Sequence, residues 1–94
     1  MSDIHHDSSE KRFTTEVDGQ VAELTYQLVG GQQMVIDHTG VPAPIGGRGI
    51  AAELVKAALE HARAQGWSVR PACSYAEAYI RRHPHYADLV EATG

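Results

Sequence analysis

The sequence predicts a mixed α/β domain, in which a mostly antiparallel sheet contains one parallel strand pair and helices pack on that sheet. Three observations support this fold class. Strand-like segments separated by turns come first, a strongly periodic helix follows a glycine-rich loop, and a further strand and a shorter helix come last. A strand that follows another through a helix returns parallel to it by a right-handed crossover, so the last strand should lie parallel to the third. The earlier, hairpin-linked strands should be antiparallel.

The composition is that of one small globular domain. The chain has 94 residues, of which 43% are hydrophobic and 21% are charged, so its core is modest. The net charge of −4 argues against nucleic-acid binding, which favours a basic surface. One cysteine excludes an internal disulfide, and no segment approaches the roughly 18 apolar residues of a membrane helix. We therefore expect a cytoplasmic protein, a monomer or weak dimer, that binds neither nucleic acid nor membrane.

The first half of the chain is predicted to form three strands. Residues 1–11 are polar, and we expect a flexible segment there, with a single domain spanning residues 12–94. The strands should lie at residues 13–17, 22–29 and 34–39, with turns at Asp18-Gly19 and Gly30-Gly31. The second strand alternates apolar and polar residues, whereas the third is apolar on both faces at its start, as expected of a central strand. Pro42 and Pro44 end the third strand.

Two helices and one strand are predicted in the second half. From about Ile50 to Ala64, apolar residues recur at helical spacing and charged residues cover the other side. Gly66 is placed to cap the C-terminus of this helix. Another strand should start at Trp67 and end near Cys73. A shorter helix should cover about Tyr75 to Arg82 and end at His83-Pro84.

The loop before the long helix is rich in glycine, since Gly46, Gly47 and Gly49 surround Arg48. Glycine allows a tight turn and leaves the backbone N–H groups accessible. The N-terminus of the following helix adds unpaired N–H groups and the positive end of its dipole. Together these features predict a site for a phosphate or pyrophosphate. The pattern is neither a Walker A loop nor a dinucleotide-binding fingerprint, and a plain strand-to-helix connector is the alternative.

Four runs of residues carry a resemblance to a known family: Asp37–Pro42, Gly47–Ala51, Pro71–Tyr75 and Arg82–Pro84. In their combination and spacing they resemble the small single-domain branch of the GNAT superfamily of acetyl-CoA-dependent N-acetyltransferases, over about residues 12–90. The resemblance implies a minimal GNAT-like fold, acetyl-CoA as cosubstrate and an amine acceptor, either a small molecule or a protein amine. It also implies that Gly47–Ile50 binds the CoA pyrophosphate through backbone amides, and that the preceding strand binds the pantetheine arm.

We expect the cosubstrate to contact the following residues: Thr39, Val41, Gly46, Gly47, Arg48, Gly49, Ile50, Ala51, Tyr75, Arg82 and His83. The basic residues at the end of the second helix can reach the CoA phosphates, with solvated helix-end charge as the alternative. Two features depart from the family pattern. Gly46 stands where such loops usually carry Arg or Gln, which shifts the phosphate contacts to backbone amides and Arg48. The N-terminal helices of larger members are missing, so the acceptor site should be open.

Three side chains are candidates for proton transfer: His38, Cys73 and Tyr79. His38 lies on the central strand just before the loop, and histidine titrates near neutral pH, so it can accept a proton from an ammonium group. A strand histidine satisfied by a neighbour is the alternative. Cys73 should meet His38 across the crevice between the parallel strands, although a lone cysteine is usually a buried hydrophobe. The resemblance places both residues in the active site.

Two roles are open to Cys73. It can donate a proton to the departing CoA thiolate, or it can accept the acetyl group covalently; we expect direct transfer to the amine. Tyr75 and Tyr79 share one face of the short helix, and either can protonate the thiolate, with packing on the sheet as the alternative. We expect no metal, because the cysteine and the histidines lack the ligand spacing of a zinc site.

The predicted activity is therefore transfer of an acetyl group from acetyl-CoA to an amine by direct attack in a ternary complex. A backbone N–H near Val41 would polarise the carbonyl group that is attacked. Two alternatives belong to other classes. One is a CoA- or acyl-CoA-binding sensor or interaction module without catalysis, and the other is a structural protein whose loop is only a turn.

Overall fold

The computed structural model describes residues 3–90 and shows one five-stranded sheet with two α-helices. In chain order the elements are β1 (His5–Asp7), β2 (Arg12–Val17), β3 (Gln20–Val29), β4 (Gln33–Gly40), α1 (Ile50–Gln65), β5 (Ser68–Pro71) and α2 (Ser74–Arg82), with 3₁₀ segments at Ala43–Ile45 and Pro84–Leu89. The parts of the predicted domain that fall on residues 1–2 and 91–94 lie outside the described residues.

The strands lie in the sheet in their chain order, from β1 to β5. The first three pairs are antiparallel. The fourth pair is parallel and joins Gln33–Ile36 of β4 to Ser68–Pro71 of β5. Because α1 connects these two strands, the predicted mixed sheet with one helical crossover is confirmed.

All helical elements bury their apolar side chains in one core with one side of the sheet. From the sheet this core takes Phe13, Ala22, Leu24, Tyr26, Met34, Ile36 and Val69, and from the helical segments Ile45, Ile50, Leu54, Val55, Ala58, Leu59, Ala62, Ala76, Ile80, Tyr86 and Leu89. The other side of the sheet, called the open face below, carries no helix within residues 3–90. Val21 and Val29 on that face are 56% and 53% exposed.

The N-terminal segment is a correction to the prediction. Residues 1–11 were expected to be flexible, but His5–Asp7 pairs with β2 as the edge strand of the sheet. The His6 ring stacks on Phe13 with ring centroids 4.2 Å apart, and its Nε2 lies 2.6 Å from the hydroxyl of Tyr26. A residue that counts as polar in the sequence therefore covers the edge of the core.

β4 contains a bulge that decides which way its last residues face. Thr25 pairs with His38, but the next residue of β3, Tyr26, pairs with Ile36, so Asp37 is an extra residue on β4. Regular alternation would place His38 on the same side as the buried Ile36. Because of the bulge, both Asp37 and His38 are exposed on the open face.

Residues 3–90 carry neither a membrane-spanning helix nor a metal-binding cluster. Neither helix there is long and apolar enough to cross a membrane. The same residues contain no group of three or more His, Cys, Asp or Glu side chains placed to hold a metal ion.

Candidate functional site

The loop between β4 and α1 has a backbone that requires its glycines. Gly47 and Gly49 adopt φ angles of 82° and 74°, which residues with a Cβ adopt at a cost of about 1–2 kcal/mol. Gly49 is the N-cap of α1, and its carbonyl accepts the N–H of Glu53. The other N–H groups of the first turn have no partner inside the helix, and the positive end of the helix dipole faces the loop. This arrangement suits an anionic ligand.

A cavity of about 230 Å³ lies between this loop and the start of α2. Its lining residues are Val41, Gly46, Gly47, Gly49, Ile50, Ala51 and Tyr75. All of them belong to the predicted cosubstrate contacts, so the fold brings the end of β4, the loop and α2 to one site. Larger cavities of about 370 and 470 Å³ open elsewhere, but none of the predicted site residues lines them.

Cys73 is the N-cap of α2, two residues before Tyr75 of the cavity lining. Its N–H donates to the carbonyl of Ile36 over 2.9 Å, and its Sγ lies 3.5 Å from the hydroxyl of Thr39. Burial acts to raise the pKa of the Cys73 thiol, but the hydrogen bond with Thr39 and the backbone amides of Ala76 and Tyr75 act in the other direction. The hydrogen bonds outweigh the burial, so the pKa lies below that of an ordinary thiol.

His38 and Cys73 are directed to different sides of β4. His38 is opposite Thr25 and lies on the open face, whereas Thr39 is opposite the buried Leu24 and faces the helices. Cys73 contacts Thr39, and no hydrogen bond joins Cys73 to His38 within residues 3–90. The expectation that the two side chains meet in one crevice therefore needs correction, because the bulge turns His38 away.

The remaining predicted residues lie outside the cavity lining. The guanidinium of Arg48 binds Asp18 at 2.6 Å, in the turn between β2 and β3. Tyr79 stacks on His83 with ring centroids 4.1 Å apart, and Nδ1 of His83 donates to the Tyr79 carbonyl over 2.9 Å. Burial raises the pKa of Tyr79. Arg82 is exposed at the end of α2 and takes part in no ion pair within the described residues.

Tyr75 is the tyrosine that the structure places at the cavity. It lines the cavity and is 40% exposed, whereas Tyr79, one helical turn later, packs against other aromatic rings. Both residues are predicted proton donors, with Tyr79 as the predicted catalytic residue and Tyr75 as a predicted cosubstrate contact. Of the two, the structure gives Tyr75 the position from which a hydroxyl can reach a ligand in the cavity.

Asp37 was not among the predicted site residues. Its carboxylate accepts hydrogen bonds from the hydroxyl of Thr25 at 2.6 Å and from the amide of Gln27 at 3.3 Å. These bonds cross from β3 to β4 at the register shift and hold the bulge that turns His38 outward. In the sequence, Asp37 and His38 are two adjacent polar residues after an apolar run, a pattern that does not by itself distinguish a bulge from the end of a strand.

Comparisons with known proteins agree with this fold. The family model of the GCN5-related N-acetyltransferases matches residues 12–89. Protein NATD1 from Homo sapiens is 34% identical over 83 residues, which is 86% of this chain and 74% of that protein, and NATD1 from Gallus gallus is 34% identical over 86% of this chain and 76% of that protein. The solution structure of a GCN5-like protein from Staphylococcus aureus, 32% identical, superposes with a TM-score of 0.76 over 98% of this chain and 90% of its own. The chain therefore belongs to the GCN5-related N-acetyltransferase family.

Proposed function

We propose that this protein transfers an acetyl group from acetyl-CoA to an amine. One observation carries the proposal: the cavity joins the glycine loop at the N-terminus of α1 to Tyr75, two residues beyond Cys73. An anion-binding backbone and a thiol with a lowered pKa thus lie at adjacent ends of two helices. The membership of the family supports the same reaction class.

The residues at the cavity fit the chemistry of acetyl-CoA. Backbone N–H groups of Gly46 to Ile50, at the positive end of α1, would hold the pyrophosphate. The end of β4, from Thr39 to Val41, would hold the pantetheine arm. Because the side chain of Arg48 is paired with Asp18, the phosphate contacts would rest on the backbone, with Arg82 as the available cation. When bound, acetyl-CoA supplies the acetyl group as an activated thioester.

In this proposal, the two proton transfers of the reaction take place on opposite sides of β4. On the open face, His38 would take the proton from the amine, which must be neutral to attack. On the helix side, Cys73 would return a proton to the sulfur that leaves, with Tyr75 as a second donor at the cavity. A backbone N–H near Val41 would stabilise the negative charge on the carbonyl oxygen. No helix of residues 3–90 covers the open face, so the acceptor side is accessible to amines of varied size.

The loop is tested by a matched pair of variants, Gly49→Ala and Gly66→Ala. Gly49 caps the N-terminus of α1 and Gly66 caps its C-terminus, with φ angles of 74° and 73°. A Cβ built at either position meets no atom within 4 Å. Both variants should therefore lose a similar stability, about 1 kcal/mol. Only Gly49→Ala should weaken acetyl-CoA binding, by about tenfold or more, because its Cβ and any relaxation of φ fall at the cavity. Wild-type affinity in both variants would make the loop a plain connector.

Turnover is tested with a panel of amines and detection of the released CoA thiol. The proposal requires at least one amine to be acetylated, and it requires Gly49→Ala to lower that rate at subsaturating acetyl-CoA while Gly66→Ala does not. Acetyl-CoA binding without turnover of any amine would instead assign the chain to the CoA-binding modules.

A further inference from the structure

We propose that Gly40 is a positioning residue, whose missing side chain makes room for the imidazole ring of His38. The inference rests on the proposed function, in which His38 takes the proton of the amine. Gly40 ends β4, two residues after His38, and pairs with Glu23 of β3. Because His38 pairs with Thr25, both positions face the open side of the sheet.

The imidazole ring of His38 occupies the space that a side chain at position 40 would need. A Cβ built on Gly40 would lie 2.9 Å from Nε2 of His38, 3.6 Å from its Cε1 and 3.8 Å from its Cδ2. The first distance is shorter than the van der Waals contact of carbon and nitrogen, so any other residue at position 40 would push the ring aside. The Nε2 edge of His38 therefore lies along β4 towards the glycine loop.

The backbone gives no other reason for a glycine at this position. Gly40 is not among the glycines with positive φ, and it takes its place in the β3–β4 ladder as an ordinary strand residue. Glycine in a strand is unfavourable, since it adds flexibility and packs nothing. The close approach of the His38 ring supplies a steric reason for glycine at position 40.

The bulge decides the side of the sheet on which the His38 ring lies. Thr25 and Gln27 bind the carboxylate of Asp37 and hold the register shift that turns His38 to the open face. Gly40 then sets where along that face the ring can lie. Proton transfer depends on heavy-atom distances of about 2.6–3.2 Å, so a displaced ring should slow the reaction without removing the imidazole.

The test is a double-mutant cycle of Gly40→Ala and His38→Ala. Alanine suits a strand with negative φ, so Gly40→Ala should fold with unchanged or slightly raised stability. At saturating acetyl-CoA it should lower kcat by between about tenfold and 10²-fold, the scale of a 1 Å misplacement. In the His38→Ala background, Gly40→Ala should change kcat no further. An equal loss of kcat in both backgrounds overturns the proposal, because Gly40 would then act without His38.

A second readout does not depend on activity. The ring protons of His38 should shift in the NMR spectrum of Gly40→Ala, relative to those of the wild type, while the spectrum of the glycine loop stays unchanged. An unmoved His38 ring overturns the positioning role even where kcat falls. A wild-type rate in His38→Ala, with a ring that does move in Gly40→Ala, refutes the base role of His38 in the proposed function and leaves the steric relation between the two residues intact.

Discussion

At the scale of single residues, Cys73 has the most unusual surroundings in the candidate site. Its backbone N–H donates a hydrogen bond to Ile36 of β4, and its thiol contacts Thr39. Cys73 is also the N-cap of α2. A lowered pKa makes the Cys73 thiol a stronger acid, which suits a group that donates a proton to a departing thiolate. It equally suits a nucleophile. The position alone therefore leaves the two mechanisms to be separated by experiment.

We predict that no acetyl-enzyme forms on the reaction pathway, because a bound amine beside acetyl-CoA attacks without an extra covalent step. Mixing the enzyme with acetyl-CoA in the absence of amine should leave its intact mass unchanged on the timescale of turnover. Cys73→Ala should keep part of the wild-type rate. Cys73 is the one cysteine of the chain, so a thioester adduct that forms and decays as fast as turnover would have to sit there and would refute direct transfer.

At the scale of elements, the Pro84–Leu89 segment closes the core beside α1. Tyr86 in this segment is buried, and its hydroxyl donates to Glu60 of α1 over 2.5 Å. Arg63, one turn along α1, binds Asp88 at 3.1 Å. Burial and the hydrogen bond with Glu60 raise the pKa of Tyr86 to about 12.

This pKa predicts a loss of stability at alkaline pH. The folded state holds the Tyr86 proton more tightly than the unfolded state, whose tyrosines ionise near pH 10. The contribution of protonated Tyr86 to the free energy of unfolding is therefore complete below about pH 10 and declines as the pH rises from there towards 12. Tyr86→Phe should lose about 1.5–3 kcal/mol at neutral pH, for one hydrogen bond to a charged group. The difference in unfolding free energy between wild type and variant should shrink above pH 10; a constant difference up to pH 12 would contradict the assigned pKa.

The elements that follow a local rule could be predicted from the sequence. The buried apolar residues of α1 recur at helical spacing. Gly66 caps the helix in the left-handed conformation that glycine favours. The glycine loop was predictable because Gly47 and Gly49 adopt angles that other residues avoid. The parallel β4–β5 pair followed from the crossover through α1.

The elements that depend on distant contacts could not be predicted in this way. β1 exists because His6 stacks on Phe13 and bonds Tyr26, and a polar sequence carries no sign of those contacts. The Pro84–Leu89 segment begins at the proline that ends the predicted last helix, yet it buries Tyr86. The bulge at Asp37 changed the side of β4 on which His38 lies, and one inserted residue reverses all later facing positions.

At the scale of the whole molecule, β4 separates two surfaces with different properties. The helix side holds the cavity with its glycine loop, and the open face holds His38 in solvent. The reacting groups would meet at the end of β4, where the parallel pairing with β5 stops after Ile36. In the proposed reaction, the cosubstrate and the amine would approach from different sides of this one strand.

Net charge does not explain the proposed binding of a polyanion. The chain carries −4 overall, which opposes a CoA phosphate at long range. At physiological salt the Debye length is about 8 Å, so these remote charges are largely screened. Affinity must then come from donors in direct contact, namely the backbone amides of the glycine loop and the end of the α1 dipole.

The most direct test of this account is calorimetry that compares acetyl-CoA with acetyl-pantetheine, which lacks the pyrophosphate and the nucleotide. Hydrogen bonds to charged groups contribute about 1.5–3 kcal/mol each, so losing two of them should weaken binding by about 10²-fold or more. We predict this difference in affinity between the two compounds for the wild type, and a smaller difference for Gly49→Ala. Equal affinities for the two compounds in the wild type would contradict a pyrophosphate site at the glycine loop.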